Sequence, residues 1–271
     1  MVEGDMSGLA IAAAILLLLA CGASGSFALL YRARRIRERE AAYGIATPHL
    51  QYIGTALGLV GGLIVGGLVL YFLQGTSRFS VIEWVGRSSY MLVAGAAAGH
   101  LLILVRTTLQ LLKEEEGWVK RGTKRPVQGT LGSRRLSTLQ RLRRQHRHYV
   151  DLKGRDEQLL DELVGVLGTP LLNMRSDLSR IPFYGYLGTV CGILLMAEEL
   201  GRINEATETF RVLSAMATGL VLAFQTTLVA LLTFLPLRKS TDYLIRRLGR
   251  IEDAWTLARD DVRGGGGGEG E

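Results

Sequence analysis

The chain has 271 residues, of which 48% are hydrophobic and 21% charged, with a mean hydropathy of +0.22; that balance points to a membrane protein rather than a water-soluble domain. A formal charge of +7 raises nucleic acid as a partner, but the basic residues sit where a bilayer would put them, so nucleic-acid binding is set aside. Cys21 and Cys191 both fall inside apolar blocks, lack metal spacing and have no bearing on disulfides.

The apolar residues gather in blocks of about twenty, the length that crosses a hydrocarbon core as a helix. Five such spans are expected, at about residues 8–31, 51–74, 87–112, 182–202 and 210–237. The predicted fold is an all-α polytopic membrane protein with five transmembrane helices and a helical cytoplasmic segment. Residues 1–112 hold three peripheral spans, 113–181 the cytoplasmic segment, 182–237 two pore-lining helices, 238–260 a cytoplasmic tail helix and 261–271 a disordered glycine-rich end.

Span one is rich in Ala and Leu. Its Leu18-Leu19-Ala20-Cys21 stretch loosely resembles a lipoprotein cleavage site, yet residues 1–7 carry Glu3 and Asp5 and no Lys or Arg, where a signal peptide needs positive charge. A retained, reverse-oriented anchor is expected. Five arginines, Arg32, Arg34, Arg35, Arg37 and Arg39, follow it. Span two carries Gly54, Gly58, Gly61, Gly62, Gly66 and Gly67, a small-residue face suited to close helix packing. The link to span three holds Arg78, Glu83 and Trp84, residue types of the membrane interface. Span three contains His100, for which a bond to a neighbouring helix or a polar pocket is the favoured reading over a titrating role.

Beyond span three, Gly117, Gly122 and Pro126 punctuate a polar stretch. Residues 133–150 read as a basic amphipathic helix with Leu136, Leu139 and Leu142 near one face; 156–167 read as an acidic one with Leu159, Leu160, Leu163, Val164 and Leu167. The two charge signs suit a paired bundle. Pro170 is expected to break the second helix, with a new one running through Arg175 and Arg180 toward the membrane near Pro182. After span five, Leu244, Leu248, Ile251 and Trp255 mark the apolar stripe of the tail helix. Basic clusters follow spans one, three and five, while residues 1–7 and 203–209 have no Lys or Arg. Positive charge marks the cytoplasmic side, so the N-terminus is expected outside and the C-terminus inside.

No enzymatic constellation is present: there is no phosphate loop, no nucleophile elbow, and His49, His100, His146 and His148 form no metal-ligand pattern. The chain is read as not an enzyme, with no metal site and no cofactor. Spans four and five carry the chemistry. Gly185, Gly188, Thr189 and Gly192 share one helical face, and Gly219, Ala223, Thr226, Thr227 and Ala230 share another. Small residues let helices approach closely in lipid, and the threonine hydroxyls are the polar atoms of that seam. No Asp, Glu, Lys, Arg or His occurs in 182–196 or 212–236. These helices can line an ion path with Thr189, Thr226 and Thr227, but they cannot hold a proton; the titrating acid of a proton path would have to come from another polypeptide. Glu198 and Glu199 end span four, either as ordinary interfacial carboxylates or as cation collectors at a pore mouth.

The pattern Pro182-x-x-Gly185-x-x-Gly188-Thr189-Val190-x-Gly192, followed by Gly219-x-x-x-Ala223-x-x-Thr226-Thr227-Leu228-x-Ala230-Leu231 and Pro236, resembles the paired helices of the MotA/TolQ/ExbB proton-channel family over about residues 175–250. Leu222 stands where a glutamate is often found, Ala230 stands where glycine is usual, and five spans differ from the three-span and four-span types, so the subtype stays open. The resemblance implies an ion-driven motor subunit of the bacterial inner membrane. It implies a homo-pentamer ringing a dimer of a single-span MotB/TolR/ExbD-like partner, whose aspartate takes and releases H+ or Na+. Thr189 and Thr227 would face that acid with Thr226 alongside, Pro182 and Pro236 would mark the inner helix ends, and the cytoplasmic part leaves room for an effector. The rival readings are a secondary transporter subunit and a membrane scaffold.

Overall fold

A computed structural model describes residues 2–42, 49–74, 80–116, 130–144, 149–201 and 209–264. Seven helices follow in order: α1 (Val2–Ala42), α2 (Leu50–Gln74), α3 (Val81–Glu115), α4 (Leu131–Arg144), α5 (Tyr149–Leu178), α6 (Ile181–Leu200) and α7 (Thr209–Gly264). Among the described residues there is no strand. Five stretches are long and apolar enough to cross a membrane: Ala10–Ala42, Leu50–Leu73, Val81–Glu115, Lys153–Leu200 and Val212–Thr256. These five apolar helices make the chain a multi-pass membrane protein, and as helices they satisfy their own N–H and C=O groups in lipid.

The helices contribute to two compact units. The first comprises Met1–Ala33, Gln51–Leu102 and Ser176–Lys239. In it α1 lies on α2 along a ladder of Gly54, Gly58, Gly62 and Gly66, four residues apart and therefore on one face. A β-carbon added to Gly54 would fall 3.0 Å from that of Ala33, and one on Gly66 would fall 3.1 Å from that of Cys21. The Ser26 hydroxyl donates across this contact to the Thr55 carbonyl at 3.2 Å. Elsewhere α1 exposes Ile11, Ile15, Leu16, Leu19 and Phe27, as a lipid-facing helix does. Gly61 turns instead to α3, where its β-carbon would lie 3.1 Å from that of Ala98. His100 sits half-buried on α3 with Nδ1 2.5 Å from the Ala96 carbonyl, so its partner is its own helix one turn back rather than a neighbour.

The second unit comprises Arg34–Leu50, Ile103–Arg175 and Ser240–Glu271, and charged pairs tie its helices. Glu40 of α1 is buried, accepting from the Arg106 guanidinium and the Gln110 amide of α3. The carboxylate of Glu114 accepts the first N–H groups of α4, from Leu131 at 2.6 Å and Gly132 at 3.2 Å, while the Thr130 hydroxyl accepts from Ser133 at 3.3 Å. An acid thus sits where the helix dipole is positive, and a threonine occupies the cap. The charge complementarity expected between the basic and the acidic segment takes the form of Arg135 on α4 and Asp156 on α5, joined by two bonds of 2.6 and 2.7 Å. Arg135 also donates to the Trp255 carbonyl of α7 at 2.7 Å. Arg247 of α7 grips Glu115 with both arms of its guanidinium. The tail stripe Leu244, Leu248, Ile251 and Trp255 is buried.

Two prolines behave differently from expectation. Pro170 lies inside α5, which runs on to Leu178; the chain breaks only at the Ser179–Arg180 turn before α6. A mid-helix proline costs about 3 kcal/mol, but Leu167, Leu171 and Met174 on either side are fully buried, each contributing about 1.5–3 kcal/mol. Packing outweighs the local rule. Pro236 likewise lies inside α7 rather than at its end, with Leu237, Thr241 and Leu244 buried beyond it. It closes the apolar block, not the helix. Helix α7 also continues through residues 261–264 of the expected disordered end. The expected punctuation at Gly117, Gly122 and Pro126, the pair His146 and His148, and residues 265–271 lie outside the described residues.

Asp156→Ala should lower stability by about 3–5 kcal/mol, because Arg135 would stay buried without its counter-ion. Thermal unfolding in detergent measures this, and Arg135→Leu added to Asp156→Ala should restore much of the loss.

Candidate functional site

Helix α6 starts with Pro182 in its first turn, where a missing N–H leaves no extra group unpaired. Five of its residues, Ile181, Gly185, Gly188, Cys191 and Gly192, are buried. They recur three and four apart, so they form one stripe, and that stripe meets α7 antiparallel. A β-carbon on Gly185 would lie 2.6 Å from that of Ala230. On Gly188 it would lie 2.5 Å from that of Thr226, and on Gly192 2.8 Å from that of Ala223. From the other side, one on Gly219 would lie 2.6 Å from the Gly192 carbonyl oxygen. The seam expected from spacing alone therefore forms in full: Gly185, Gly188, Gly192, Gly219, Ala223 and Ala230 are brought together, and backbone meets backbone.

Two threonines flank this contact. The Thr189 and Thr227 hydroxyl oxygens are 2.5 Å apart. Thr227 also reaches the Ala223 carbonyl at 3.1 Å, and Thr189 reaches the Ala223 and Gly185 carbonyls at 3.2 Å each. Each hydroxyl owns one proton and two lone pairs. With Thr227 donating to Ala223 and Thr189 donating to Thr227, both protons are spent inside the seam. What the pair offers outward is lone pairs, a surface that suits a cation or a hydrogen-bond donor. Both residues are half-buried.

Thr226 packs within the seam itself. It is 2% exposed, fills the space above Gly188, and donates to its own helix at the Leu222 and Ala223 carbonyls, 2.9 and 3.0 Å away. It is a packing residue of the seam, because Gly188 leaves a hole of its size. Glu198 and Glu199 are not near the threonine pair: ten residues of α6 separate Thr189 from Glu199, about 15 Å of helix. Glu198 is exposed, and Glu199 is half-buried in the wall of a cavity of about 320 Å³.

Two features escaped the sequence. Arg106 and Gln110 lie within the third apolar block yet are buried against Glu40; an arginine inside an apolar block is itself a signal that a partner must exist. Arg87 and Tyr90 of α3 line the same cavity as Glu199, together with Gln225.

Residues 172–256, which contain the whole seam, match the family model described as the MotA/TolQ/ExbB proton channel family. No curated protein and no solved structure matches the chain.

Gly188→Ala should cost about 1–3 kcal/mol by overpacking, because its new methyl meets Thr226. Gly249→Ala, with nothing within 4 Å of the added carbon, should not. Parallel thermal melts of the two variants in detergent check the difference.

Proposed function

With residues 172–256 a MotA/TolQ/ExbB-type segment, we propose that the protein is the channel-lining subunit of a proton- or sodium-driven motor in a bacterial inner membrane. The observation that carries this reading is the Thr189–Thr227 hydroxyl pair, 2.5 Å apart, in helices whose apolar stretches 182–196 and 212–236 contain no titratable Asp, Glu, Lys, Arg or His. Such a pair can pass or coordinate an ion but cannot bind and release a proton. The mechanism needs an acid from outside the chain.

Copies of the chain form a ring, of five by the resemblance, around a dimer of single-span partners. The partner aspartate stands beside Thr189 and Thr227. Neutral, it sits at low cost among the hydroxyls and small residues; charged, it draws the next cation. Each change of charge alters which subunit fits the partner best, and the ring turns by populating the better fit. The N-terminus lies outside and the C-terminus inside, as the basic clusters after spans one, three and five support. Parts beyond the membrane, held by the Arg135–Asp156 and Arg247–Glu115 pairs, transmit force or receive control.

Thr189→Val with Thr227→Val keeps the size of both side chains and removes both hydroxyls. The doubly substituted chain should purify as the same ring with the same single-span companion, yet fail to complement the phenotype of a gene deletion. Full complementation sinks the pore assignment. A tagged wild-type chain that purifies alone and as a monomer sinks the motor reading in favour of a scaffold.

A further inference from the structure

Helix α1 lies outside the matched residues 172–256, and the channel chemistry leaves it without a task. Its apolar run ends at Tyr31, and Arg32, Arg34, Arg35, Arg37 and Arg39 follow. All five arginines are exposed. Two acids accompany them. Glu40 is buried, held by Arg106 and Gln110, so Glu38 is the acid that shares their surface. Five arginines less one carboxylate leave four net positive charges on the exposed side of this helix end. Like charge at that density repels itself until anions settle on it.

The charge is aligned with an apolar surface. Phe27, Tyr31, Arg35 and Arg39 follow four apart, so they run down one face of α1. Phe27 is 72% exposed and Tyr31 52%. One stripe therefore passes from phenyl ring to phenol to guanidinium over about 18 Å of helix. Arg32 flanks it, one turn before Arg35. Its guanidinium is seated on α3: a β-carbon on Gly99 would fall 2.9 Å from the Arg32 Nη1. A residue larger than glycine there would displace the arginine head.

Apolar ring, interfacial tyrosine and arginine stand in the order in which a phospholipid presents acyl chain, interface and phosphate. A free anion could use the arginines, but the exposed rings above them add a contact that suits a lipid-borne one. Guanidinium forks match phosphate oxygens in geometry as well as charge. We propose that this end of α1 binds anionic phospholipid of the leaflet on the basic side. Arg32 and Arg39 donate to the headgroup phosphate, and Phe27 and Tyr31 lie along the acyl chains. The span in front of the channel-type segment then ties the subunit to the lipid around it.

The test uses the full chain, with any companion that co-purifies, in phosphatidylcholine vesicles. These carry a trace of spin-labelled phosphatidylglycerol or of spin-labelled phosphatidylcholine with the same chains. The motionally restricted part of the spectrum reads the lipid held at the protein surface. Wild type should hold phosphatidylglycerol several-fold more strongly. A cation beside an anionic surface is worth a factor of about five, so Arg32→Gln with Arg39→Gln should bring the ratio near one. Arg34, Arg35 and Arg37 remain in that variant to keep the orientation of α1. Arg246→Gln with Arg250→Gln removes the same charge from exposed positions of α7 and should leave the ratio unchanged. Equal retention of the two lipids by wild type overturns the proposal. So does an equal loss in the α7 variant, which makes net charge the cause. Loss of the preference on adding inorganic phosphate at fixed ionic strength overturns the lipid in favour of a free anion. The spectrum asks for no ion flow, so its outcome and that of the threonine variants stand apart.

Discussion

Backbone contact between α6 and α7 is the constraint from which the rest follows. Gly185, Gly188 and Gly192 give α7 nowhere to sit but against the α6 main chain, and Ala223, Thr226 and Ala230 fill the remaining space. In lipid there is no hydrophobic gain from burying leucine against leucine, so dispersion over such a close approach is what holds the pair. The same closeness fixes Thr189 and Thr227 in one arrangement. Larger residues at the three glycines would separate the helices and also part the two oxygens.

A second constraint runs through the charged groups outside the apolar stretches. Glu40, Glu114, Arg135 and Asp156 are all buried, and each has its partner. Buried pairs of this kind add little net stability, but they penalise any arrangement that separates them. They therefore define register: Glu114 determines where α4 begins, Asp156 determines which turn of α5 faces α4, and Glu40 fixes α1 to α3. Glycine seams in the apolar unit tolerate sliding poorly for steric reasons; here the penalty is electrostatic.

Much of this was readable beforehand because its signals are local. Blocks of about twenty apolar residues announce spans, and glycines four apart announce seams, so both the five spans and the α6/α7 contact could be read in advance. What could not be read depends on residues far apart in the chain. Glu40 and Arg106 are 66 positions apart, and Tyr90 and Gln225 are 135 apart; no spacing rule connects them. Thr226 packs inward where Thr227 does not, for a subtler reason. It neighbours Thr227 in sequence, but adjacent helical residues point about 100° apart, and only the position of Gly188 decides which of the two turns inward. Pro170 and Pro236 misled because the local rule counts one lost hydrogen bond and not the buried stripe on either side.

Pro236 has one more consequence. Without its N–H, the carbonyl of Leu232 has no donor one turn on, so α7 is a ribbed beam with a single missing strut. Upstream, where Gly219, Ala223 and Ala230 are clamped to α6, flexure would tear close-packed backbone apart. Bending of α7 is therefore cheapest at that one rung, and the two hydroxyls sit on the clamped length above it.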